Sequence, residues 1–261
     1  MNARRILGTL LLSCSLAAHA GRSCDARPPQ LGAVEQGMAL AQRTAERLDA
    51  SGADVVALAR VGQDLRRWGL RYSHVGYAYR DTNGPVAVWR VVHKLNHCGS
   101  GTASLYRQGL GEFFLDDPFE YAAGFVVLAP DVQRRLLPLL RDNTWVARLD
   151  TPAYNMLAYP WSSRYQQSNQ WAIETLAMAA DPAACTRDRA QAWLRLRGYE
   201  PTTLHIGPLQ RLGAEVSAAS IRFDDHPNTK RFSDRIETVT VDSVFAWLER
   251  SGLGGRVQTI R

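Results

Sequence analysis

The stretch from Tyr72 to His93 constrains the fold of this chain more than any other. Tyr72-Ser73-His74-Val75-Gly76-Tyr77-Ala78-Tyr79-Arg80 is aromatic-rich and partly alternating, and Val86-Ala87-Val88-Trp89-Arg90-Val91-Val92-His93 is rich in β-branched residues. Between them lies Asp81-Thr82-Asn83-Gly84-Pro85. Asn-Gly tolerates the positive φ values that tight hairpin turns demand. The pattern predicts an antiparallel hairpin, with a further strand in the apolar run Asp54–Arg60 just before it. A sheet of this kind must bury a face against other elements.

Helical spacing supplies those elements. Leu31, Val34, Met38, Ala41, Ala45 and Leu48 recur every three or four residues, and Ser51-Gly52 ends the run. Further helices are predicted from Pro130 to Leu140, from Ser168 to Ala180 and from Arg187 to Arg197, the last stopped by Gly198. Short strands are expected at Ser104–Tyr106 and Gly124–Leu128. The tail holds two more strand candidates, Ala218–Phe223 and Glu237–Val241, and a helix from Asp242 to Arg250. Helices that flank strands rather than alternate with them indicate an α+β fold. Residues 21–197 are expected to form the core with its N-terminal helix, and residues 198–261 a C-terminal α/β extension packed on it.

The first twenty residues read differently. Arg4 and Arg5 precede an apolar run from Ile6 to about Leu16, which ends at Ala18-His19-Ala20. That is the pattern of a secretory leader cleaved after Ala20. A lipoprotein leader would use Cys14, but Leu12 sits where a smaller residue is preferred. The run is too short to span a bilayer, and no later segment is long and apolar enough to do so. The destination expected is the periplasm. The net charge is +6, and removing Arg4 and Arg5 leaves +4, spread without a basic stripe. Nucleic acid is therefore not an expected partner. Cys24, Cys98 and Cys185 remain after the leader; export favours one disulfide among them, and spacing does not choose the pair.

Three residues are candidates for chemistry. His74 opens the second strand of the series and His93 closes its hairpin partner, so pairing can set them side by side. One histidine can then fix the tautomer of the other as a general base. Ser168 opens the predicted helix in Gln166-Gln167-Ser168-Asn169-Gln170-Trp171, facing unpaired N–H groups that stabilise an attacking anion. Each has a plain structural reading too: hydrogen-bonded histidines, and a serine that caps its helix. Cys98, in Asn96-His97-Cys98-Gly99, is expected to be structural rather than nucleophilic. His93, His97 and Asp224-Asp225-His226 form no dedicated zinc signature, so neither metal nor other cofactor is expected. Asp225-His226-Pro227 reads as a turn with local hydrogen bonds.

This order of elements resembles the circularly permuted branch of the papain-like NlpC/P60 superfamily, which includes lecithin:retinol-acyltransferase-like proteins and bacterial envelope proteins. The resemblance covers residues 53–180. It rests on Asp54–Arg60, on the strand beginning His74-Val75-Gly76, on His93 in the next strand, and on a distant helix after Tyr154-Asn155-Met156-Leu157 and Tyr159. It implies an antiparallel sheet packed against helices, with His74 as general base, His93 (or Asn96) as orienting group and Ser168 as nucleophile. The family's nucleophile is cysteine; serine needs its proton removed during attack. The Gln-Ser-Asn-Gln-Trp and Asp-Asp-His-Pro segments also resemble an uncharacterised bacterial family of exported proteins.

Two functions follow as expectations. One is an envelope hydrolase or acyltransferase acting on an amide or ester through Ser168, His74 and His93. The other is a non-catalytic envelope protein that binds a small molecule, peptide or lipid in a papain-like cleft.

Overall fold

The computed structural model describes residues 30–115 and 118–261, except for the side chains of Val216 and Ser217. The leader and Cys24 lie outside the described residues. The elements run α1 (Leu31–Ala50), β1 (Val55–Val61), a 3-10 turn (Arg66–Trp68), β2 (His74–Asp81), β3 (Val88–Asn96), β4 (Ala103–Gly109), α2 (Leu110–Phe114), β5 (Glu120–Val127), α3 (Pro130–Arg141), α4 (Asn143–Val146), α5 (Ser168–Ala180), α6 (Arg187–Leu196), β6 (Thr202–His205), α7 (Pro208–Ser217), α8 (Asn228–Arg231), β7 (Arg235–Thr238), α9 (Val241–Arg250) and β8 (Gln258–Ile260). The fold is α+β. Among the described residues, no helix is long and apolar enough to cross a membrane.

Six antiparallel strands form the main sheet in the order β4-β3-β2-β1-β5-β8. β1 is central, and all seven of its residues are buried. Helices cover it on both sides, which is why its sequence is continuously apolar up to Arg60 rather than alternating. One face carries Val55, Ala57, Ala59, Val75, Tyr77, Tyr79 and Val92 and packs on residues of α3, α5 and α9. The other carries Val56, Leu58, Ala78, Val91 and Phe125 and packs on Leu40 and Leu48 of α1 and Phe113 and Phe114 of α2. Successive strand residues point to opposite faces, so these two sets interleave along each strand.

The tail divides in a way the sequence does not announce. β6 and β7 form a separate two-stranded ribbon over a small cluster of Leu204, Ile206, Ile221, Phe223 and Ile236. Then α9 returns to the main core, and β8 pairs with β5. The strand expected at Ala218–Phe223 is absent. Ile221 and Phe223 are buried as a strand's would be, but Arg222 makes both of its backbone hydrogen bonds to the Asn155 amide, at 3.0 and 2.9 Å. A side chain thus takes the bonds a partner strand would have used.

Candidate functional site

His74 is the first residue of β2, opposite Arg60 of β1. Both lie on the sheet face covered by α1 and α2, because Val75 and Tyr77 face the other way. His93 shares that face with Val91. It stands across from Gly76, where a Cβ would come within 2.8 Å of the His93 Cβ and of the Val92 carbonyl oxygen. A glycine at this crossing lets His93 lean over β2 to reach His74.

The two rings meet edge to face, 5.1 Å apart, with His74 Nε2 2.8 Å from His93 Nδ1. His93 Nε2 lies 2.7 Å from Oε1 of Gln108, on β4. An amide oxygen only accepts, so His93 Nε2 carries a hydrogen. With both rings neutral, His93 Nδ1 then accepts from His74 Nε2–H, which leaves the lone pair of His74 on Nδ1. The hydrogen bond to His93 is the one the His74 ring makes among the described residues. Phe113 of α2 closes over both rings, at 5.2 Å from His93 and 6.0 Å from His74. The Arg60 guanidinium donates to the Phe113 carbonyl and lies 4.9 Å from its ring centre.

Burial holds His74 well below the ordinary histidine range, and the charges of Arg60 and His93 push in the same direction. The ring is therefore uncharged near neutral pH, a hydrogen-bonding group rather than a cation. Beside this chain lies a depression of about 260 Å³ lined by Arg60, Leu95, Gln108, Glu112 and Leu115. Gln108 belongs to both, touching the hollow and ending the histidine chain. The hollow offers a ligand polar groups of both signs between two leucines, with the buried histidines behind Gln108.

Ser168 is elsewhere. The N-cap of α5 is Gln167, which makes no side-chain cap bond, and Ser168 is the first helical residue. Burial pushes the Tyr154 phenol up to about 12, and Ser168 pulls it the other way. α5 packs on the opposite sheet face: Tyr77 Oη donates to the Ala172 carbonyl at 2.6 Å, and Asn169 Oδ1 accepts from Val75 N at 3.1 Å. The structure pairs His74 with His93, and among the described residues no hydrogen bond joins Ser168 to either ring.

The remaining candidates are also separated. Asn96 ends β3 and is exposed. His97 bonds to Ser104 and Thr102. His226 bonds to Asp225, the kind of local contact the turn reading expected, and also to the distant Glu237 carbonyl. Sequence reasoning missed Gln108, Phe113 and Arg60. Of these only Arg60 left a signal, as a charge ending a wholly apolar strand. Gln108 becomes visible only through the β3–β4 register, which sets it opposite Val91.

An antiparallel sheet sheathed by helices, with two histidines and a glutamine chained beneath a cleft, defines an α+β protein with a buried imidazole pair. Residues 47–248 match the model of a family described as an uncharacterised protein conserved in bacteria (DUF2145), and the chain belongs to that family. No curated protein and no solved structure matches it.

Proposed function

We propose that this is an exported envelope protein that binds a small molecule, peptide or lipid in the cleft beside His74, His93 and Gln108, without using Ser168 as a nucleophile. On this reading it is a papain-like cleft that has become a binding site. The observation that supports it most is that α5, which carries Ser168, packs on the sheet face of Val75 and Tyr77, while His74 turns to the face of Phe113, and no hydrogen bond among the described residues joins Ser168 to His74. A nucleophile must lie within hydrogen-bond reach of its base. Export and a periplasmic destination belong to the same reading and rest on the leader pattern at Arg4–Ala20. So does a disulfide: Cys185 is a free thiol, which leaves Cys24 and Cys98 of the three. Peptide mapping without reductant is expected to link Cys98 to Cys24 and to leave Cys185 open to alkylation.

One observation favours the hydrolase or acyltransferase reading. His74 is held neutral, with its Nδ1 lone pair uncommitted, as a general base requires. A single experiment separates the two. The protein is treated with a fluorophosphonate probe, and a Ser168→Cys variant with a thiol-directed acylating probe, each with and without His74→Ala. Binding without catalysis predicts no serine labelling, and in the variant a thiol whose slow reaction ignores His74. Labelling at position 168 that His74→Ala abolishes would return the protein to the enzymes.

A further inference from the structure

The apolar stripe of α7 faces away from the molecule. A helix lying on a core turns its apolar residues at i and i+3 inward. In α7, Leu209 and Leu212 are 85% and 61% exposed, while Ala214 packs on the cluster beneath the β6–β7 ribbon. The Arg211 side chain also points inward, to the Ile206 carbonyl and the Asp234 carboxylate. That contact ties the first turn of α7 to the turn after α8, where Phe232 is 69% exposed. The bond from Ile206 N to the Asp234 carbonyl closes the same end of the ribbon. Three large apolar side chains thus stand out on two segments joined by that ion pair.

The charges around them are unequal. Asp234 is paired with Arg211, and Glu237 with Lys230. Arg231 lies 4.7 Å over the Phe232 ring, and its neighbour Arg235 is exposed. Neither forms an ion pair among the described residues. Glu215 is the one acid on α7 and flanks the stripe. An apolar stripe with cations beside its aromatic residue matches a bilayer interface of anionic headgroups. Apolar side chains enter the headgroup boundary there, and guanidinium groups stay at phosphate depth.

We propose that the surface formed by Leu209, Leu212 and Phe232, flanked by Arg231 and Arg235, docks this protein on an anionic phospholipid bilayer. Docking combines two weak signals, shallow apolar insertion and electrostatic attraction, so it is peripheral and reversible. It does not depend on the histidine cleft.

Co-sedimentation of the purified protein tests it, with vesicles of phosphatidylethanolamine plus phosphatidylglycerol against vesicles of phosphatidylcholine alone. Binding to the anionic vesicles only is expected, weakening as salt is added. The Leu209→Ser/Leu212→Ser double variant is expected to lose it, and Arg231→Gln to lower the partition about fivefold. These side chains bury little, so unchanged melting temperatures verify the fold. Absence of wild-type binding, or equal binding by the double variant, overturns the proposal. So does a dimer in sedimentation velocity that the double variant converts to monomer, which would assign the surface to a second copy of the chain.

Discussion

Gly76 and Gln108 decide whether the histidine pair exists. Gly76→Ala sets a methyl group 2.8 Å from both the His93 Cβ and a backbone oxygen, and backbone cannot step aside cheaply. A loss of about 1–3 kcal/mol in urea unfolding is expected, together with loss of the hydrogen-bonded imidazole signals in a proton NMR spectrum. Gln108→Leu strips the acceptor from His93 Nε2 and is expected to cost about 1–3 kcal/mol. His74 carries a pH signature. Its folded pKa lies below the ordinary value of 6.5, so the unfolded chain takes up the proton more readily. Stability from this group is therefore full above that value and is lost as the pH falls below it. The urea midpoint is expected to drop between neutral and mildly acidic pH, and His74→Gln to flatten the drop.

At the scale of elements, α5 is held by its polar residues as much as by its apolar ones. The Gln166 amide bonds Lys94, Thr151 and Glu174; that of Gln167 bonds Thr238 and Val239, and that of Asn169 bonds Val75 and Val239. Glu174 has no exposed surface and receives Arg187 and Gln191 from α6. Arg187 also donates to the carbonyls of Ser162, Ser163 and Tyr165, which stitches the loop before α5 to the helix after it. Each buried charge here has its partner, so removing one leaves the other uncompensated. Glu174→Ala is expected to cost about 3–5 kcal/mol in denaturant unfolding, and Glu174→Gln less. The Gln-Gln-Ser-Asn-Gln-Trp segment, conspicuous in the sequence as a candidate site, works mainly as the joint between α5, the sheet and the tail.

For the whole molecule, closure of the sheet depends on the last residues of the chain. β8 covers the edge of β5 and inserts Ile260 into the core on the α1 side. Deleting residues 251–261 would uncover Phe125 and an unpaired strand edge, a template for pairing between chains. Truncation at Arg250 is expected to lower the melting temperature and to yield oligomers on size-exclusion chromatography, although the family match itself stops at residue 248.

The reach of the sequence follows the range of the interactions involved. The approximate extent of α5 is readable, and the β2–β3 hairpin and the His74–His93 contact are readable too, because helical period, turn chemistry and strand pairing act between near neighbours. β6, α7 and β8 are not readable. β6 and β8 are four and three residues long, and their partners lie far along the chain. Ser168 shows the limit most plainly. Its place at the start of a helix is local, but the sheet face on which that helix lands is set by where Tyr77, Trp171 and Val126 find room together. Strand alternation sorts side chains onto two faces without saying which helix will cover which. The sequence by itself determined the central elements and the histidine pair; only tertiary packing decided that the helix carrying the serine would cover the other face of the sheet.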